Sequence, residues 1–371
     1  KESFIMARNR VIYQSEALFV NQEASHETGY NQLERVQSAN YSFTINRQDV
    51  NQYGQLGKLD SIIIDAPTVT ADLSYYLTDG FNERALGFFV QTTAGSFEEG
   101  GFVSGQLADG SGSNLIVLTT PEGTDADLPS RAAAAVDSSI GIGNSYVSDY
   151  SVDMAVGSLP TVSVSFDALN INSDDDASAI ASPAIELVNG AVVARNVDLP
   201  NAITGSGTIG AIRPGDITID ISAFDGSPIA DIGTDAEGAH IQSASLSVPL
   251  SRSTLERLGS SSAYARSIDF PVVSTLSVSA ILNEVEASNL VTMIADETEK
   301  TVTLTLLSND SSTKAVVYKL IGCSLDSESI SSSIGSNKSV DITFSTSVGG
   351  PTDTSHGVFM SGMSTVALNN S

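Results

Sequence analysis

The chain repeats itself, and the repeat is written in period two. Residues 36–47 read VQSANYSFTINR and residues 241–252 read IQSASLSVPLSR, an offset of 205 (241 − 36). Gln37/Gln242, Ser38/Ser243, Ala39/Ala244, Ser42/Ser247 and Arg47/Arg252 are identical; Val36/Ile241, Tyr41/Leu246, Phe43/Val248 and Ile45/Leu250 keep their apolar character. Both stretches lead to a proline-headed run, Pro67–Tyr75 and Pro271–Ser279. A second block, VGSLPTVSVSF at 156–166, matches IGSNKSVDITF at 334–344 with an offset of 178 (334 − 156). The fall from 205 to 178 gives the first copy 27 extra residues, expected between Leu77 and Val147. Two copies are too few for an open solenoid, and 371 residues suffice for two domains with their own cores. The expectation is a first domain over 1–171 with its insertion within 80–145, a linker or elaboration over 172–210, and a second domain over 211–371.

Strict alternation means strands with one buried face. Tyr41, Phe43 and Ile45, with Val164 and Phe166, are expected in the core of the first copy. Leu246, Val248, Ile342 and Phe344 are their counterparts in the second. The opposite face is small, polar and nearly uncharged, whereas ordinary solvated sheets carry more Lys and Glu. Short helices are expected at Asn82–Phe89, Ser130–Val136 and Glu284–Ile294, and Ile217–Ile221 mirrors Val11–Tyr13. The fold class is therefore mainly β with short flanking helices.

Charge limits the partners. Seventeen basic against 44 acidic residues give a net charge of −27, and no basic run occurs. Such a surface repels phosphate instead of gripping it. The apolar runs are too short to span a bilayer as helices, and no apolar segment of a secretory signal follows Met6; a soluble chain with no membrane partner is expected. Catalytic signatures are weak throughout. Gly205–Gly210 fits G-x-G-x-x-G, but Arg213-Pro214-Gly215 follows where a dinucleotide site needs a helix. Asp174-Asp175-Asp176 lacks the alternating ligands and closing Glu of a calcium loop. His26, His240 and His356 stand apart from the lone cysteine, Cys323, and from each other, and no Trp is present. No enzyme activity, cofactor or metal is expected.

Two connecting loops attract more interest. Arg47–Asp60 and Arg252–Arg266 are too long for tight hairpin turns. They mix apolar residues (Val50, Tyr53, Leu56; Leu255, Leu258) with Arg47 and Arg252, the composition of contact loops.

The stretch Arg35–Leu56, its continuation through Pro67–Leu77, and its end near Gly80-Phe81-Asn82-Glu83 resemble the tail tube proteins of long-tailed bacteriophages. The match covers about 50 residues, and the duplication extends it over most of the chain. The resemblance implies two tandem tube-like β-sandwich or split-barrel domains, whose strands pool into one large oligomeric β-barrel. Rings of such folds stack into a tube, with Arg47–Asp60 and Arg252–Arg266 reaching the next ring. Ser38, Asn40, Ser42, Thr44 and Asp72, with Ser243, Ser245 and Ser247, would line the lumen through which double-stranded DNA passes without binding. Six folds per ring would make this chain a trimer, with a hexamer as the competing arrangement and the extra residues of the first copy outside. The other partners would be tail proteins, and the place the virion, assembled in host cytoplasm. A tail-tip or surface adhesin is the alternative from another class.

Overall fold

A computed structural model describes residues 16–22, 29–64, 67–93, 97, 100–108, 112–120, 126, 138–174, 183–188, 191–194, 197, 199–200, 212, 217–222, 240–255, 265–281, 299–308, 314–331, 337, 339–364 and 366–369. In chain order the first part forms β1 (Glu16–Asn21), β2 (Asn31–Gln32), β3 (Val36–Thr44), β4 (Arg47–Val50), β5 (Asp60–Ile63), β6 (Thr68–Tyr76), helix α1 (Phe81–Ala85), β7 (Val90–Gln91), helix α2 (Ser104–Ala108), β8 (Ser113–Thr119), β9 (Ser138–Ala155), β10 (Thr161–Ala168) and β11 (Asn170–Asp174). A hairpin follows, β12 (Ala184–Val188) and β13 (Ala191–Ala194). The rest forms β14 (Ile217–Ser222), β15 (His240–Pro249), β16 (Arg252–Leu255), β17 (Ala265–Ile268), β18 (Val273–Ile281), β19 (Lys300–Leu307), β20 (Lys314–Ser331), β21 (Ser339–Ser347) and β22 (Gly357–Gly362). The chain is mainly β, as its alternation requires, and the sheets are antiparallel apart from the short β7–β22 pair.

One layer runs β3-β6-β10-β9-β15-β18-β21-β20. Its first four strands precede residue 172 and its last four follow residue 239, so β9–β15 pairing joins early and late chain in one sheet. β9 and β20 are each 18 residues long and serve two layers. The first part of β9 pairs with β8 and β11, and its remainder with β10 and β15. Likewise β20 pairs first with β19 and β22, then with β21. The second layers, β1-β8-β9 and β14-β19-β20, lie over the apolar side of the first, and one core cluster contains residues from all of them.

The pairings recur at the two sequence offsets. Ser38 opposes Ser74 as Ser243 opposes Ser279, with a bulge leaving out Gln37 and Gln242. Val162 opposes Val152 as Val340 opposes Ile330, with a bulge leaving out Ser148 and Asp326. β6 and β18 share one alternating burial pattern, residue for residue, at offset 205. That register aligns Pro67 with Val272, so matching the two prolines to each other is one residue out. Likewise β1, not Val11–Tyr13, corresponds to β14 by its pairing; Val11–Tyr13 lie outside the described residues, as do Ser130–Val136 and Glu284–Ile294.

The described part of the segment between β6 and β8 packs into the core. Gly80 (φ 89) turns the chain into α1, and a Cβ there would lie 3.1 Å from Val90 Cγ1. β7 pairs with β22, the Arg84 guanidinium donates to the carbonyls of Ser364 and Val366, and Phe102 N–H donates to Val358 O at 2.7 Å. Phe102 stacks on Phe88 and meets Tyr150 and Tyr318 edge-on. At this junction Glu83 is fully buried. Tyr75 and Tyr150 donate to Glu83 Oε1 at 2.9 and 3.4 Å, and Tyr150 and Tyr318 share a 2.8 Å hydrogen bond. Burial, opposed by these donors and by a backbone hydrogen bond and reinforced by Asp79, raises the Glu83 pKa to about 7.

Val164, Phe166, Leu246, Val248, Ile342 and Phe344 are buried, as the alternation requires. Tyr41 and Phe43 are not: they are 39% and 60% exposed, and Ile45 is half-buried. Their strand, β3, ends the layer, so among the described residues it has one strand neighbour where the corresponding β15 lies between β9 and β18.

Two stability measurements check this arrangement. Phe166→Ala or Phe344→Ala should each cost about 3–5 kcal/mol in urea unfolding of the isolated chain, whereas Phe43→Ala should change it by less than about 0.5 kcal/mol. Glu83 has a folded pKa above its ordinary value, so its favourable contribution is full below pH 4.5 and is lost as pH rises towards 7. The loss is on the order of 3 kcal/mol. Glu83→Gln should flatten the stability–pH curve across that window.

Candidate functional site

Three surface features carry the unusual chemistry. The first is the outward side of the eight-strand layer. Ser38, Ser74, Ser163, Ser151, Ser247, Thr275 and Ser345 oppose one another in turn from β3 to β21. Flanking rows add Asn40, Asp72, Ser165 and Asp149 on one side, and Thr161, Asp153, Ser245, Ser277 and Thr343 on the other. Carboxylate is the only charge in these rows. Each of three carboxylates accepts a hydroxyl from a neighbouring strand: Asp72 from Ser165 at 2.7 Å, Asp153 from Ser245 at 2.6 Å, and Asp326 from Ser345 at 2.8 Å. Burial raises the Asp149 pKa. Ser38, Asn40, Ser42, Thr44, Asp72, Ser243, Ser245 and Ser247, singled out from the sequence, all lie on this face, opposite the core residues of their strands. Asp149, Asp153 and Asp326 escaped that reading, because the bulges at Ser148 and Asp326 break the alternation of β9 and β20.

The second feature is the pair of ends of this layer. Among the described residues β3 pairs only with β6, and the Ser324–Ser331 part of β20 only with β21. A free strand edge is a template for another strand. Tyr41 and Phe43 are exposed on one edge and Ile330, at 37%, on the other. Glu328 sits on the same edge as Ile330, its pKa raised by burial.

The third feature is a pair of two-stranded arms. β4–β5 projects from the β3 end; Gln55 N–H closes a turn on Gln52 O, and Gly54 takes φ 89 there. Tyr53 and Leu56 are fully exposed at the tip, and Val50, Leu59, Ile62 and Ile63 are exposed along the stem. Lys58 pairs with Asp49 at 3.2 Å across the arm. Seven large apolar side chains left in water in one stretch of 15 residues, counting Ile64, mark an interaction surface.

The second arm, β16–β17, starts differently. Arg252 Nε donates to Val147 O at 3.0 Å, its guanidinium lies 5.1 Å from the centre of the Tyr146 ring, and Arg266 reaches Ala168 O and Asp167. Arg252 is thus half-buried across the β9–β15 seam, while Arg47, its counterpart, is exposed and without a side-chain partner among the described residues. Leu255 is exposed; Leu258 lies outside the described residues.

Of the remaining candidates, Cys323 is buried with its thiol pushed up to about 12 by burial, and His356 is half-buried beside Glu299 and Asp353. Gly205–Gly210, Asp175, Asp176 and His26 lie outside the described residues. No group of three or more His, Cys, Asp and Glu able to hold a metal occurs among the described residues. No family model matches the chain, and no curated protein matches it in sequence.

Arg252 bridges early and late chain, so Arg252→Ala should lower the stability of the isolated chain by about 1.5–3 kcal/mol, the range for a hydrogen bond from a charged group. Arg47→Ala should leave it unchanged; thermal and urea melts of the two variants make the comparison.

Proposed function

We propose that this chain is a structural tube protein of a phage tail, built from two tandem tube-like domains. The observation that carries the reading is the outward face of the eight-strand layer: rows made mostly of Ser, Thr and Asn whose only charge, among the described residues, is carboxylate. A face like that holds no phosphate by counterion release, yet it stays wetted and smooth. It suits the wall of a passage for double-stranded DNA better than it suits a binding site.

The geometry of a ring supports the same reading. All eight strands of the layer are antiparallel, and an even number lets β3 of a second copy continue the sheet beyond β20 in the same sense. Head-to-tail contacts of this kind close when the rotation allows. Three copies give 24 strands, and at a strand spacing of about 4.8 Å the untilted backbone circle is roughly 37 Å across, wider than the 16–18-stranded barrels that already leave a channel. The core side of the layer then faces out, carrying the second layers with it. The β4–β5 arm, rich in exposed apolar residues, would reach the next ring, with β16–β17 as its counterpart of equal length at offset 205. Partners would be further copies, other tail proteins and DNA in transit; the place of action would be the virion, after assembly in host cytoplasm.

Negative-stain microscopy of the purified chain tests this. Hollow tubes or stacked rings with threefold symmetry are expected. Solitary particles at all concentrations and ionic strengths would favour an adhesin, and strict sixfold density would replace the trimer by a hexamer.

A further inference from the structure

We infer that the chain carries its own template for the contact between copies: β3 of one copy pairs with the Ser324–Ser331 part of β20 of the next in the register of the internal β9–β15 seam, and Arg47 clasps that contact on the carbonyl of Leu325. The inference rests on the ring reading above and gives it a partner surface and a register.

The internal seam fixes the details. β15 lies antiparallel to β9 with Ser245 opposite Asp153, Leu246 opposite Val152, Ser247 opposite Ser151, Val248 opposite Tyr150 and Pro249 opposite Asp149. Offset 205 carries β15 onto β3, and offset 178 carries the second part of β9 onto that of β20; the bulges at Gln37/Gln242 and Ser148/Asp326 follow these offsets. Transferring both sides places Asn40 opposite Ser331, Tyr41 opposite Ile330, Ser42 opposite Ser329, Phe43 opposite Glu328 and Thr44 opposite Ser327. The apolar side chains exposed on the two free edges thereby meet on the core side, and the Ser and Asn residues meet on the outward side. Beyond the strands, Arg252 donates to Val147 O. The same two offsets carry Arg252 to Arg47 and Val147 to Leu325.

The two edges differ from the internal seam in a way that suits separate chains. Asp326 and Glu328 make the β20 edge acidic, and exposed Arg47 ends the β3 edge. Opposite charges steer copies together head to tail and set two identical edges against each other. The ring of Tyr146 is replaced by Ser324 at offset 178, so Arg47 has the carbonyl and the neighbouring Asp326 but no aromatic seat.

Cysteine cross-linking of the full chain reads the register. Directly opposed strand residues lie about 4.5–5.5 Å apart and diagonal ones about 7–8 Å, and a disulfide requires the former. Ser42→Cys with Ser329→Cys in one chain should oxidise to covalent oligomers ending at a closed trimer on a non-reducing gel. Mixing the two single variants should give dimers only. Ser42→Cys with Ser327→Cys or Ser331→Cys should cross-link at least about tenfold more slowly. Faster cross-linking in a shifted pair overturns the register. Tubes under the microscope with no cross-link in any pair, including mixed single variants, overturn the edge contact while leaving the tube reading intact. Absence of rings from the unmodified chain removes both. Arg47→Ala should raise the concentration needed for ring formation at least about tenfold, and an unchanged threshold overturns the clasp.

Discussion

The main-chain ladder between β9 and β15 is the interaction on which the rest depends. It turns two four-strand groups into one layer, so that the apolar sides of both groups share a single core. Interior packing then follows from it. Val152, Tyr150, Leu246 and Val248 are buried because each strand covers the other's flank. The residues between β6 and β8 fill the space behind the seam, with Phe88, Phe102 and the Glu83–tyrosine cluster linking β6, β9 and β20. A buried carboxyl is tolerated there because hydroxyls donate to one of its oxygens; burial, with Asp79 nearby, is the physical origin of its raised pKa.

Strand identity and face were legible in the sequence wherever alternation ran unbroken. Val162, Val164 and Phe166, or Val340, Ile342 and Phe344, can satisfy only one burial pattern, and they do. Three things were not legible, each for a stated reason. Tyr41 and Phe43 have the pattern of a core strand, but burial depends on what lies beside β3, and period two says nothing about neighbours. The carboxylates of β9 and β20 were hidden by bulges, which shift the face of every later residue by one. Glu83 was hidden because one of its hydroxyl donors, Tyr150, and that donor's own partner, Tyr318, are remote from it in sequence. The repeated blocks, by contrast, were visible because the same alternation of residues recurs in both at fixed offsets.

The outward face achieves its character by short side chains. Asp72, Asp153 and Asp326 each accept a hydroxyl from the adjacent strand, which holds the charge close to the backbone plane. A Glu or Lys at those positions would extend into solvent and sample many rotamers. Serine and threonine rows that hydrogen-bond across strands, such as Ser38 with Ser74 and Ser42 with Thr70, use polarity within the sheet.

The two ends of the layer, each paired on one side only among the described residues, are a hazard as well as an opportunity, since another strand can pair with them. Selection among registers therefore has to be built in. Period two rejects slips by an odd number of residues, because Tyr41 and Phe43 would then face the carboxylate side. It is blind to slips by two, which keep every side chain on its proper face. What distinguishes those is a feature outside the alternating strand, fixed to one position on each edge. Arg252 plays that part at the internal seam, where one carbonyl, Val147 O, receives it. A two-residue slip would carry the guanidinium about 7 Å along the strand, away from that carbonyl. The identity of Arg47 and Arg252 across copies whose neighbouring loops have diverged is what such a register lock requires.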